Sequence, residues 1–169
     1  MIINKWLLTL IAIAIFTFFT ILLWDEPPIE IKSRFNNVEI DWINNAGNAS
    51  LTGYAYIHWH NSNTENCNAN EVSLVPVSSY SKERMNALYG NALRGENYKN
   101  RITEPSAEYL LATRNTMCDF NGKFRFDNVP AGEWFLLTKV SYMSLMQRVS
   151  IPAEGKIEVI LTRCCNDSL

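Results

Sequence analysis

The chain has 169 residues, 47% of them hydrophobic and 12% aromatic, with a formal net charge of −2 and a pI near 5.7. Its Lys and Arg residues form no run or stripe, which argues against nucleic acid as a partner, and its aromatic content argues against disorder. Part of the apolar character sits in the first 24 residues, so the rest of the chain is more polar than the average suggests. The remainder, about 140 residues, suffices for one domain with its own core.

Residues Trp6 to Trp24 read WLLTLIAIAIFTFFTILLW, without charge, Gly or Pro. As a helix rising ~1.5 Å per residue they span roughly 28 Å, close to the thickness of a bilayer hydrocarbon core. A cleavable signal core is shorter, about 7–15 residues, and ends at small residues. This segment exits through Leu22-Leu23-Trp24-Asp25-Glu26, with neither an A-x-A site nor a following Cys. Trp6 and Trp24 bracket it, where indoles favour the membrane interface. Lys5 lies before it, and Asp25 and Glu26 lie after it. The positive side stays cytoplasmic. The expectation is a retained signal-anchor at residues 1–25, crossing the inner membrane once, with the C-terminal domain in the periplasm or outside.

Residues 26–50 read as a linker and first strand. Pro27-Pro28 stiffens the linker, Phe35 to Ile43 reads as a short strand, and Asn44 to Asn48 is turn-rich. Gly53 to His60 alternates, with Ala55, Ile57 and Trp59 on one face and Tyr54, Tyr56, His58 and His60 on the other. Asn61 to Asn70 is a polar loop. Glu71 to Val77 is a strand whose Pro76 suits an edge. Ser81 to Leu93 reads as a helix capped by Ser81, with Met85, Leu88 and Leu93 in its apolar stripe and Gly95 as its stop. Lys82, Glu83, Arg84 and Asn86 read as its solvated side. Glu96 to Ser106 reads as a loop and Tyr109 to Cys118 as a strand. Asp119-Phe120-Asn121-Gly122 is a hairpin turn. Lys123 to Phe126, Trp134 to Tyr142, Gln147 to Ile151 and Ile157 to Leu161 complete about seven strands, the pattern of a β-sandwich.

An exported domain permits disulfides. Cys67, Cys118, Cys164 and Cys165 allow three pairings. Cys67 and Cys118 are the favoured pair, because each falls at a strand–loop junction. The vicinal Cys164-Cys165 could stay reduced, bridge to each other or cross-link two chains. No C-x-x-C is present to suggest thioredoxin-like chemistry or a common zinc site.

The stretch from Thr116 to Leu136 reads TMCDFNGKFRFDNVPAGEWFL. It resembles the core motif of carboxypeptidase regulatory-like domains: an Asp-x-x-Gly turn, an F-x-F strand, an x-x-Pro-x-Gly turn and a strand opening with an aromatic. Gly53-Tyr54-Ala55 and Val72 to Pro76 resemble the opening strands of that family. The resemblance runs from about Leu51 to Leu161. It implies a mainly β, seven-stranded, transthyretin-like (prealbumin-like) sandwich over residues 51–169, here with a helical insert at about 79–106. It implies no chemistry, since such domains serve as non-catalytic modules in many settings.

The residues mark no catalytic constellation. His58 and His60 share a strand face, which makes a metal pair conceivable, but no third ligand is marked by spacing. No metal, cofactor or small-molecule substrate is expected. The expected role is a non-catalytic component of a bacterial envelope assembly that contacts a protein partner. The alternatives are a carbohydrate- or peptide-binding module using an exposed aromatic face and, further off, a metal-dependent enzyme. The interaction candidates are Tyr54, Tyr56 and His58 on the alternating strand, and Tyr80, Arg84 and Tyr89 around the insert helix.

Overall fold

The computed structural model describes Trp6 and residues 27–59 and 63–163. The expected membrane helix lies outside the described residues, apart from Trp6, as do His60 and the Cys164-Cys165 pair. Among the described residues no helix is long and apolar enough to cross a membrane.

In chain order, a 3-10 helix (Asn37–Asn44) precedes β1 (Asn48–His58), β2 (Thr64–Asn66), β3 (Glu71–Pro76), α1 (Ser79–Tyr89) and β4 (Arg94–Asn97). There follow α2 (Ala107–Ala112), β5 (Arg114–Met117), β6 (Lys123–Val129), β7 (Gly132–Val140), β8 (Met143–Ile151) and β9 (Glu154–Leu161). One sheet is built around β1. It pairs antiparallel with β6 and β2, and in parallel with β9. The other sheet is antiparallel, in the order β4-β8-β7-β3-β5, so the apolar β7 is central as its sequence implied. The nine strands among the described residues exceed the roughly seven expected, because the short β2 and β4 lie in segments that read as loops.

The two inner faces close on one core. β1 contributes Leu51, Ala55 and Ile57, β6 contributes Phe124 and Phe126, and β3, β7 and β8 contribute Leu74, Trp134, Leu136 and Leu145. Each large side chain removed from water in this way stabilises the fold by roughly 1.5–3 kcal/mol. A second cluster lies on the other face of the five-stranded sheet, where Phe135 and Met146 meet Tyr80 and Met85 of α1 and Tyr109 of α2. The five-stranded sheet is thus covered on both faces, whereas the four-stranded sheet keeps one face open to solvent.

The two ends of the sandwich differ. At the tip end, β7 turns into β8 through Ser141-Tyr142, and Tyr142 stacks on Trp59 just beyond β1. At the turn end, Pro130-Ala131 joins β6 to β7, and Pro152-Ala153 joins β8 to β9. There Trp42 packs edge-on against Trp134, with ring centroids 5.1 Å apart.

Several local expectations are corrected. Residues 37–44 are a 3-10 helix, not a strand. The Asn36 side chain takes up the Val38 amide, diverting the backbone from a ladder. The insert helix starts at Ser79, with Ser78 as N-cap and Ser81 as the reciprocal capping-box residue, and Gly90 at φ +75° ends it. Leu93 therefore lies outside the helix and is exposed, while Gly95 belongs to β4. The expected strand from Tyr109 to Cys118 begins as α2, capped by Ser106, and becomes extended only at Arg114. Pro76 is not on an edge strand, but β5 pairs only with residues 71–74, so Pro76 has no neighbour on that side.

Candidate functional site

The open face of the four-stranded sheet is a grid set by strand register. Along β1, Leu51, Gly53, Ala55 and Ile57 point inward, so Thr52, Tyr54, Tyr56 and His58 point outward. Thr52 stands between Arg125 of β6 and Glu158 of β9. Tyr54 stands between Lys123 and the exposed Ile160, and Tyr56 opposes Asn66 of β2. The Tyr54 and Tyr56 rings are 5.0 Å apart, tilted by 31°, and half-exposed. Two aromatic rings and an aliphatic side chain thus form an apolar strip ringed by charged and amide groups.

The strip is supported from one side by the β5–β6 turn. The Asp119 carboxylate accepts the Asn121 and Lys123 amides, each at 2.8 Å. Gly122 follows at φ +77°. A methyl group added there would lie 2.8 Å from the Tyr54 ring and 2.7 Å from Asn66 Cβ, so only glycine lets the turn approach this closely. Cys67, just after β2, is joined to Cys118, just before the turn, which confirms the favoured disulfide. His58 shares a hydrogen bond with Thr64 through Nδ1 at 2.8 Å.

Arg125 and Asp127 form a surface ion pair at 2.6 Å. The guanidinium holds the Asp127 carboxyl below its ordinary range, so it stays ionised near neutrality. A shallow depression of about 510 Å³ crosses this region, lined among others by Thr52, Tyr54, Lys123, Arg125 and Glu158. Aromatic faces accept the C–H side of a sugar ring, while planar charged groups and amides bind paired hydroxyls. Both are present here.

The other three interaction candidates lie elsewhere. Tyr80 and Arg84 are not surface groups, and Arg84 is 7% exposed. Its guanidinium sits 5.5 Å from the Tyr80 ring centre and 5.2 Å from that of Tyr109, and donates to Tyr80 Oη and the Thr103 carbonyl. Tyr89 is half-buried, and burial drives its phenol pKa upward. Burial also raises that of Tyr109, to about 12. α2 and residues 29–35 cover this cluster, so it is an internal polar core. Among the described residues no group of three His, Cys, Asp or Glu could hold a metal ion.

Sequence reading missed Ile160, Arg125 and Glu158 as parts of the face. Their alternation was visible, but their adjacency to Tyr54 and Thr52 arises from pairing across more than 70 residues of chain for β6 and more than 100 for β9.

The chain matches no family model and no curated protein sequence. Its fold is similar to the crystal structure of a proposed carbohydrate-binding protein from Pseudomonas aeruginosa, with a TM-score of 0.66 and 18% identity over 78% of this chain and 99% of that one. At that identity the likeness establishes the architecture alone: a mainly β domain of two packed sheets.

Proposed function

We propose that this protein is a non-catalytic, membrane-anchored envelope module that binds carbohydrate on the open face of its four-stranded sheet. The observation that carries the reading is the Tyr54–Tyr56 pair beside Ile160, framed by Lys123, Arg125, Glu158 and Asn66. The Pseudomonas aeruginosa protein of similar fold supports it, as does the carboxypeptidase regulatory-like motif around the β5–β6 turn, which fits a transthyretin-like sandwich with a helical insert. The apolar segment 6–24 is the anchor in this reading, and the disulfide suits an oxidising compartment outside the cytoplasm.

The test is a glycan array including cell-wall polysaccharides, followed by titration of any hit. Each of Tyr54→Ala and Tyr56→Ala is expected to weaken binding by about tenfold, the effect of losing one stacked ring. Thermal midpoints should stay near that of the parent. An array without hits, or a double variant that binds as the parent does, refutes the reading.

A second reading has its own observation. Leu110, Leu111, Met117 and Phe120 are exposed along α2, β5 and the turn, with Leu111 at 87%. Such side chains beside a short edge strand suit a protein partner that covers them, as in an envelope assembly. Crosslinking in native membranes followed by pull-down tests it, and recovery of the monomer alone counts against it.

A further inference from the structure

Residues 29–42 form a strap laid along the helical layer. Ile29 bridges Ile102 in parallel, donating its amide to the Arg101 carbonyl at 2.8 Å and accepting from the Thr103 amide at 3.1 Å. Next, the Lys32 and Ser33 amides donate to the Glu83 carboxylate of α1 at 2.9 and 2.8 Å. Phe35 then packs edge-on against Tyr80 and Tyr109. Glu39 accepts from the Ser79 amide at 2.6 Å, and Trp42 reaches Trp134 at the turn end. The strap therefore has a direction.

That direction identifies where the chain enters the domain. Ile29 runs parallel to residues 101–103, which follow the Asn97–Asn100 turn. Asn97 ends β4 and pairs with Ser144, beside the Tyr142 hairpin. Pro27 and Pro28 thus precede the strap on its tip-end side. Only Asp25 and Glu26 separate Pro27 from the apolar segment, a reach of roughly 7 Å when extended.

We infer that the tip end of the sandwich rests against a phospholipid surface. This rests on the anchored reading proposed above. The occupant is the bilayer, because the short connection leaves the tip end little room to be elsewhere. The side chains there suit an interface: Tyr98 is 71% exposed and Tyr142 68%, with exposed Lys99 and Lys139 nearby. In this pose β1 points toward the membrane, and the Tyr54–Tyr56 face is a side wall open to polymer lying above the bilayer.

The experiment uses the full chain in vesicles of phosphatidylethanolamine and phosphatidylglycerol. A fluorophore is placed at K99C or at A153C in a C164S/C165S background, and the lipid headgroups carry a nitroxide quencher. Residues 99 and 153 lie at opposite ends of β8, roughly 25–30 Å apart at ~3.3 Å per residue. Quenching is expected to be several-fold stronger at residue 99. Equal quenching, or stronger quenching at residue 153, overturns the orientation while leaving the anchor intact. A chain that does not float with the vesicles removes anchor and orientation together. Adding Ile29→Pro and Glu83→Ala together removes the amide given to Arg101 and the carboxylate that holds Lys32 and Ser33, which loosens the tip-side half of the strap, and is expected to narrow the difference. A difference unchanged by those two substitutions overturns the strap as the orienting element.

Discussion

Removing the Cys67–Cys118 bridge tests how the open face of the four-stranded sheet is supported. The cross-link spans 51 residues, and both cysteines are buried. In the chain-entropy model, closing such a loop removes unfolded-state freedom worth about 4 kcal/mol. Against a typical domain stability of about 5–15 kcal/mol this is a large share, and for a domain of this size it corresponds to a fall of about 10–15 °C in thermal midpoint. The assay is urea unfolding of the C164S/C165S protein, oxidised and reduced, with C67A/C118A as a third sample. The oxidised form should show the higher midpoint. It should also show the shallower denaturant slope, because a cross-linked unfolded chain exposes less surface. The bridge also ties β2, which carries Asn66 opposite Tyr56, to the turn beside Tyr54. In the proposed carbohydrate-binding reading, reduction should therefore weaken glycan binding before global unfolding begins. Oxidised and reduced unfolding free energies that agree within about 0.5 kcal/mol, well below the roughly 2–4 kcal/mol that loop closure typically gives, would refute the reasoning.

Gly122→Ala meets both a left-handed backbone and the Tyr54 ring, so it should cost about 1–3 kcal/mol in denaturant unfolding and also lower glycan affinity. Arg84→Ala should destabilise by about 2–3 kcal/mol, since the Thr103 carbonyl loses the guanidinium donor, Tyr80 Oη keeps only the Ser106 amide, and two rings lose their cation. Arg84→Met keeps most of the stem volume and removes the buried charge, so it should cost less; the reverse order in paired melts contradicts this account. Hydrogen bonds from Ser33 and the Lys32 amide hold the Glu83 carboxyl below its usual 4.5. A depressed folded-state pKa gives stabilisation that is present above the unfolded value and lost as pH falls through the folded one. Hydrogen exchange at Lys32 and Ser33 should therefore accelerate, relative to neighbouring amides, only on acidification below about pH 4.5. Tyr109 has the opposite sign: its raised pKa means stability holds below about pH 10 and declines as pH rises toward about 12, followed by phenolate absorbance.

Much of the open face was legible in the sequence. The alternation from Gly53 to His58 depends on a backbone whose side chains change face at every residue, so it placed Tyr54, Tyr56 and His58 together correctly. The Asp119 to Gly122 turn was legible for a similar reason. An Asp side chain that accepts amides two and four residues on, followed by a glycine at positive φ, is chemistry within a few residues. The cysteine pairing was legible as a preference only. Cys67 is set beside β1 by the hydrogen bond from its amide to the Ala55 carbonyl, Cys118 is set by the pairing of β5 with β3 and the hydrogen bond from its amide to the Asn70 carbonyl, and together these bring the two sulfurs into contact.

Misreadings came where a short-range signal was ambiguous and distant contacts decided. Val38, Ile40 and Trp42 alternate as in a strand, yet a single Asn36 cap and the meeting of Trp42 with Trp134 favour a 3-10 turn. Arg84 reads as solvated from its position on α1. It is buried because residues 29–35 and α2 close over it, supplying ring faces and a carbonyl that offset part of its desolvation. Sequence reading likewise missed the neighbours of the tyrosine pair, since Arg125, Glu158 and Ile160 are brought there by strand pairing. Composition and periodicity thus specified a mainly β domain, its turns and one outward row of side chains, because those depend on neighbours along the chain. Which rows lie side by side, which charge is enclosed and which way the strap runs depended on tertiary packing, where segments distant in sequence compete for the same surface.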